Sequence, residues 1–202
     1  MRCRVFSCAL VVFVPAFAAS PGPSQSAEPV LHVRIYNCAK LPSAELRFAE
    51  AEAERILRQA GIQPVWANCG ATGDCGCAGD VSIRVVSRTR GAFGQTVLGF
   101  AQPANHGGVA TLFYPHAVSI QSYNCFLYQI LGRTMAHEIA HLLLGPYHSG
   151  VGVMRHDHGI EEWGSSGSAQ WFFTPAESSR MRCDVARRMA ERKSILTGSL
   201  KQ

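Results

Sequence analysis

Residues 137–154 read His137-Glu138-Ile139-Ala140-His141-Leu142-Leu143-Leu144-Gly145-Pro146-Tyr147-His148-Ser149-Gly150-Val151-Gly152-Val153-Met154. The first half ends a long apolar-periodic segment that predicts a helix from about Tyr123 to Leu144. Gly145-Pro146 closes it, pairing a C-capping glycine with a residue that cannot continue a helix. Residues four apart share a helix face, so the imidazoles of His137 and His141 can meet one ion. Glu138 lies one step round, near enough to reach a water on that ion without ligating it. Zinc favours nitrogen ligands, and a catalytic zinc site keeps one position open for water. Such water becomes a usable nucleophile near neutral pH, with Glu138 as the general base. Two histidines do not complete the site. The third ligand must follow the helix: Gly145 permits a sharp turn and His148 comes within reach, with His156 and His158 as substitutes and Asp157 as a weaker one.

Working outward, Val30 to Cys38 is rich in β-branched residues and reads as a strand. Ser43 is a candidate N-cap for a helix in which Leu46, Ala49, Ala53, Ile56, Leu57 and Ala60 recur at helical spacing, and Gly61 ends it. Strands are expected at Ile62–Trp66, Val81–Val86, Val97–Ala101 and Val109–Tyr114, with Gly107-Gly108 as a turn between the last two. Gly164 to Ser168 reads as a loop. Thr174, Pro175 and Glu177 take the N-cap, N1 and N3 places of a last helix running to about Lys193. The order strand, helix, strands, long helix, irregular segment, helix gives an α+β fold with one mixed sheet.

The bulk properties narrow the field. A chain of 202 residues with 47% hydrophobic and 16% charged residues folds rather than staying disordered. Residues 1–19 read as a secretory signal: Arg2 and Arg4 open it, an apolar run follows, and Ala16-Phe17-Ala18 is a small-x-small cleavage site. Residues 20–29 form a leader, and 30–202 a single domain. The apolar run is too short for a membrane span, so the mature chain is expected to have none and to be secreted or periplasmic. Losing Arg2 and Arg4 lowers the formal charge of +5 by two, and no Lys/Arg patch stands out, which argues against a nucleic-acid partner. Export would leave Cys38, Cys69, Cys75, Cys77, Cys125 and Cys183, an even number that predicts up to three disulfides.

The stretch 137–154 resembles the metzincin signature, HExxHxxGxxH followed by a methionine turn. By that likeness His137, His141 and His148 are ligands of one catalytic zinc ion, Glu138 is the base and Met154 is the turn methionine. The spacing from His148 to Met154 is similar to that of compact matrix-metalloprotease and archaemetzincin-like members. The element order also resembles a metzincin catalytic domain, with a twisted mixed sheet, a packed helix, a long active-site helix and a C-terminal helix. Leu98 to Tyr114 resembles the family's rim strand and its neighbour, which makes Gly99, Phe100 and Ala101 candidate backbone contacts for a peptide added as a strand. One departure stands out: the family has two residues between the second histidine and the glycine, and here there are three, Leu142, Leu143 and Leu144. An extended helix would shift its exit by about 1.5 Å and roughly 100°, which a 3₁₀ or π adjustment could absorb. Where some members carry a tyrosine two residues after the methionine, this chain has His156, a candidate for oxyanion support.

The expected activity is therefore peptide-bond hydrolysis in a protein or peptide substrate, by a monomer. A non-catalytic zinc-binding module and a zinc amide hydrolase acting on cell-wall peptides are the competing readings; Glu138 argues against the first, since it does not ligate. No cysteine switch and no calcium loop are expected. Trp163 and Trp171 fall where the resembled family shapes a substrate pocket, and ordinary core packing is the preferred reading of both. His32, His106 and His116 receive no role. Gly70–Asp80 and Ile160–Phe172 are the loops expected to set specificity.

Overall fold

The computed structural model describes residues 28–71, 80–89, 94, 96–104, 107–121, 125–156, 158, 160–163 and 170–199. The stretches read from sequence as signal and leader up to residue 27, the segment 164–168 read as a loop, and Cys75, Cys77, His106, Tyr123 and Asp157 lie outside them.

The elements are β1 (Val30–Asn37), α1 (Ser43–Gln59), β2 (Gln63–Asn68), β3 (Val81–Val86), β4 (Gly99–Ala104), β5 (Gly107–Phe113), α2 (Tyr114–Ile120), α3 (Leu127–Leu144), α4 (Ile160–Trp163) and α5 (Pro175–Ser199). They form the expected mixed sheet, in the order β2-β1-β3-β5-β4. Every pairing is parallel except the last, where β4 runs antiparallel to β5 along one edge. One face of the sheet is apolar. Leu31, Val33 and Ile35 of β1, Val81, Ile83 and Val85 of β3, and Ala110 and Leu112 of β5 are buried there against α1 and α3. This is the period-two pattern of strands covered on one side. Full burial of each large aliphatic side chain contributes roughly 1.5–3 kcal/mol.

Several boundaries differ from the sequence reading. Ser43 is the first helical residue of α1; Pro42 is the N-cap and makes no side-chain bond. Gly107 and Gly108 open β5 instead of forming a turn. Helix α3 begins at Leu127, capped at Phe126, whose N–H is accepted by the Gln129 side chain. The short helices α2 and α4 were not expected. The last helix starts as read: the Thr174 N–H donates to Glu177 at 2.8 Å, and the Glu177 N–H donates to Thr174 Oγ1 at 3.3 Å. It continues past Lys193 to Ser199.

The expectation of up to three disulfides is corrected. Cys38, Cys125 and Cys183 are free thiols, so none of the three takes part in a bridge. Cys125 is buried between α3 and α4, and its Sγ donates to the Trp163 carbonyl at 2.6 Å. That local use of the thiol is invisible to a count of cysteines.

Candidate metal centre

Helix α3 crosses the core, buried along most of its length, and delivers His137 and His141 one turn apart near its C-terminal end. Each ring is fixed by a backbone carbonyl. His137 Nδ1 lies 2.8 Å from the Val153 oxygen, and His141 Nδ1 lies 3.0 Å from the Gly145 oxygen. A carbonyl only accepts, so each Nδ1 carries the proton and each Nε2 turns its lone pair outward. The two Nε2 atoms face each other at 3.0 Å. Two lone pairs at that distance repel unless a cation or a proton lies between them. Two nitrogen ligands of one tetrahedral zinc stand roughly 3.3 Å apart, so the donor pair fits such an ion.

The third imidazole comes from the loop after α3. The Gly145 N–H donates to the His141 carbonyl at 2.9 Å, an i to i−4 bond, so the helix stays α-helical through Leu144. No 3₁₀ or π adjustment is used. Gly145 compensates instead, with φ 82° and ψ −166°. That conformation is essentially restricted to glycine. The chain turns back, and the ring of exposed His148 stands 4.7 Å from that of His141 and 5.5 Å from that of His137. The ligand atoms of the three histidines all lie within 4.8 Å of one another.

The loop then folds under the site. The Ser149 N–H donates to the Met154 carbonyl at 2.9 Å, and the Val153 N–H to the Phe172 carbonyl at 2.9 Å. Val153 and Met154 are fully buried. The same Val153 residue that is tied down by its N–H thus offers its oxygen to His137.

Glu138 is 5% exposed, and its Oε2 has no hydrogen-bond partner among the described residues. Burial pushes its carboxyl up to about 8. Burial also pulls His137 down to about 4, with further lowering from the His141, His148 and His158 charges, and it lowers His141 too. Near neutral pH these imidazoles are therefore unprotonated, the form a metal requires.

The other sequence candidates separate clearly. His156 is exposed, its ring edge-on to His148 at 4.9 Å. His158 stacks on Trp171 at 4.6 Å, with Nδ1 3.3 Å from Glu162 and Nε2 3.4 Å from the Val153 oxygen. It belongs to an aromatic wall and not to the trio. Gly99 lies against the acid: a Cβ there would meet Glu138 Oε1 at 3.0 Å and the Thr111 oxygen at 2.9 Å. Phe100 points to the opposite face of the sheet and Ala101 to the same face as Gly99.

Trp163 and Trp171 are core residues, their rings 4.8 Å apart. The support beneath them was missed. Arg133, 1% exposed and one turn before His137, places its guanidinium 4.5 Å from the Trp171 ring, donates to the Trp163 carbonyl and pairs with Glu52 of α1 at 3.3 Å. An arginine on the apolar face of α3 was the available signal.

No protein-family model matches the chain, and no curated protein does. Among solved structures it is similar to archaemetzincin from Methanopyrus kandleri, with a TM-score of 0.52 at 13% identity, covering 80% of this chain and 99% of that one. The fold resembles that of archaemetzincin. The order of elements in this archaemetzincin-like fold puts a long buried helix under one sheet face and an antiparallel strand at the sheet edge beside it. The GM1-bound ECX AB5 holotoxin is also similar, at a TM-score of 0.41 and 12% identity over 78% of this chain and 80% of that one, a likeness too distant to bear on the site. At 13% identity the archaemetzincin likeness concerns the fold; chemistry must come from the side chains.

Proposed function

We propose that this chain is a zinc-dependent peptidase in which His137, His141 and His148 hold the ion and Glu138 is the general base. The observation that carries the reading is the convergence of three imidazole nitrogens within 4.8 Å of one another, beside a buried carboxyl that does not ligate. Bound there, zinc supplies Lewis-acid chemistry that acidifies water and polarises a carbonyl.

The chain's own groups do the rest. The carbonyls of Val153 and Gly145 hold the two helical imidazoles in the ligating tautomer. Glu138 takes the proton from the attacking water and passes it to the amide nitrogen as the C–N bond breaks, so a carboxylic acid and an amine leave with no covalent enzyme intermediate. A peptide adds along the outer edge of β4, whose Gly99 packs directly against Glu138. His156, edge-on to His148, supports the oxyanion; unchanged hydrolysis by His156→Ala would remove it from this role. Residues 1–19 direct the chain out of the cytoplasm.

The test compares the zinc-loaded wild type with Glu138→Ala and His148→Ala on a panel of short peptides. The expected result is hydrolysis by the wild type alone, with zinc retained by Glu138→Ala and weakened in His148→Ala. Zinc binding with no hydrolysis by any of the three would refute the enzymatic reading.

A further inference from the structure

Among the described residues, helices cover one face of the sheet and not the other. A largely parallel sheet is ordinarily covered on both. On the open face the register lines up one transverse row: Tyr36 of β1 opposite Arg84 of β3, Arg84 opposite Thr111 of β5, and Thr111 opposite Phe100 of β4. These four, with Arg88 and Phe113, line a hollow of about 590 Å³. Its floor is aromatic, the rings of Phe100 and Phe113 lying 5.7 Å apart. Its rim is basic, and among the described residues no Asp or Glu lines it.

Elsewhere Arg55, Arg58, Arg133, Arg155, Arg187, Arg188 and Arg192 each pair with a carboxylate, and Arg180 and Arg182 donate to main-chain carbonyls. Arg84 and Arg88 are exposed and have no ion-pair partner among the described residues. In the adjoining row Arg34 has a buried Nε without an acceptor. Unspent guanidinium groups over an apolar floor call for carboxylates attached to apolar stems.

We propose that this hollow docks an acidic, extended segment of polypeptide. Charge complementarity selects the sign, and a row that crosses four strands from Tyr36 to Phe100 selects an extended chain. The row ends at β4, the edge at which a peptide is proposed to add, so one polypeptide can reach both places. That connection to turnover rests on the peptidase reading; the docking itself does not.

The experiment measures binding of fluorescein-labelled octaglutamate to the full chain carrying Glu138→Gln, so that turnover cannot confuse it. Binding is expected, weakened by salt. Arg84→Gln and Arg88→Gln should each weaken it roughly threefold to tenfold, as charge-assisted contacts at a solvent-exposed rim do. Both side chains are exposed, so the fold should survive, and circular dichroism checks this. Arg84→Gln/Arg88→Gln with Glu138 intact should hydrolyse a short neutral peptide at the wild-type rate. Equal affinity in the double variant overturns the proposal, as does equal binding of octaglutamine. Displacement by millimolar inorganic phosphate or by an oligonucleotide as effectively as by free octaglutamate also overturns it, assigning the arginines to phosphate. Failure of the wild type to cut any peptide would refute the peptidase reading while leaving the binding result intact.

Discussion

Replacing Glu138 by glutamine should flatten the pH dependence of stability in the metal-free protein above pH 6.5. In the fold Glu138 holds its proton up to about 8, whereas the unfolded chain releases it near 4.5. Between those values the folded state binds more protons, so stability falls as pH rises. His137 acts in the opposite sense. It binds a proton in the fold only below about 4, while the unfolded chain keeps one up to 6.5, so stability rises with pH across that range. The two slopes oppose each other below 6.5, and above it the fall due to Glu138 is no longer offset by His137. At about 1.4 kcal/mol per pH unit, the fall from 6.5 to about 8 comes to about 2 kcal/mol. With a urea m value of roughly 2 kcal/mol/M, the unfolding midpoint drops by about 1 M over that window. The assay is urea denaturation with a chelator present, wild type against Glu138→Gln. The variant should show no such drop, and saturating zinc should abolish it in the wild type by letting the carboxylate ionise. A drop of equal size in both chelated proteins, or in neither, would refute the assignment of this proton to Glu138.

Gly145→Ala should cost roughly 1–3 kcal/mol through backbone strain alone, because nothing lies within 4 Å of the added Cβ; its zinc dissociation constant should rise, and an unchanged melting midpoint would contradict the strain. Gly99→Val should abolish hydrolysis while zinc content by mass spectrometry stays at the wild-type level, since the new side chain meets Glu138 and the Thr111 carbonyl before any histidine. Arg133→Met should destabilise by about 3 kcal/mol, the order expected when one partner of a buried ion pair is removed, and should shift tryptophan fluorescence as Trp171 loses the overlying guanidinium. A stability change under about 1 kcal/mol would show that packing replaces the pair.

The parts of the fold legible in the sequence were those governed by local period and local chemistry. Val81–Val86 alternates cleanly, α1 repeats its apolar residues at helical spacing, and Thr174-Pro175 with Glu177 writes a capping box in side chains. The HEIAH stretch was legible because helical spacing alone brings its imidazoles together. What holds those imidazoles was not legible. The acceptors for His137 and His141 are main-chain oxygens of Val153 and Gly145, and a carbonyl leaves no mark in residue type. Helix α2 was hidden behind Tyr114-Pro115, which reads as the end of a strand until Pro115 is seen near the N-terminus of the next helix. The separation of His148 from His158 was decided largely by tertiary packing: His158 is drawn to the Trp171 ring, distant from it in sequence, as well as to Glu162 four residues on.

The reciprocal link between His141 and Gly145 has a consequence for how such a chain can vary over generations. The glycine's N–H ends the helix on the histidine's oxygen, and its oxygen steadies the histidine's ring, so the two residues travel as one joint. Lengthening the chain ahead of the joint moves helix and ring together and can be accommodated, as the third leucine illustrates. Lengthening it between the joint and His148 has no such compensation. Insertions and deletions should therefore be unevenly spread, tolerated before Gly145 and purged after it, and a search pattern for related chains should let the first interval float while keeping the second fixed.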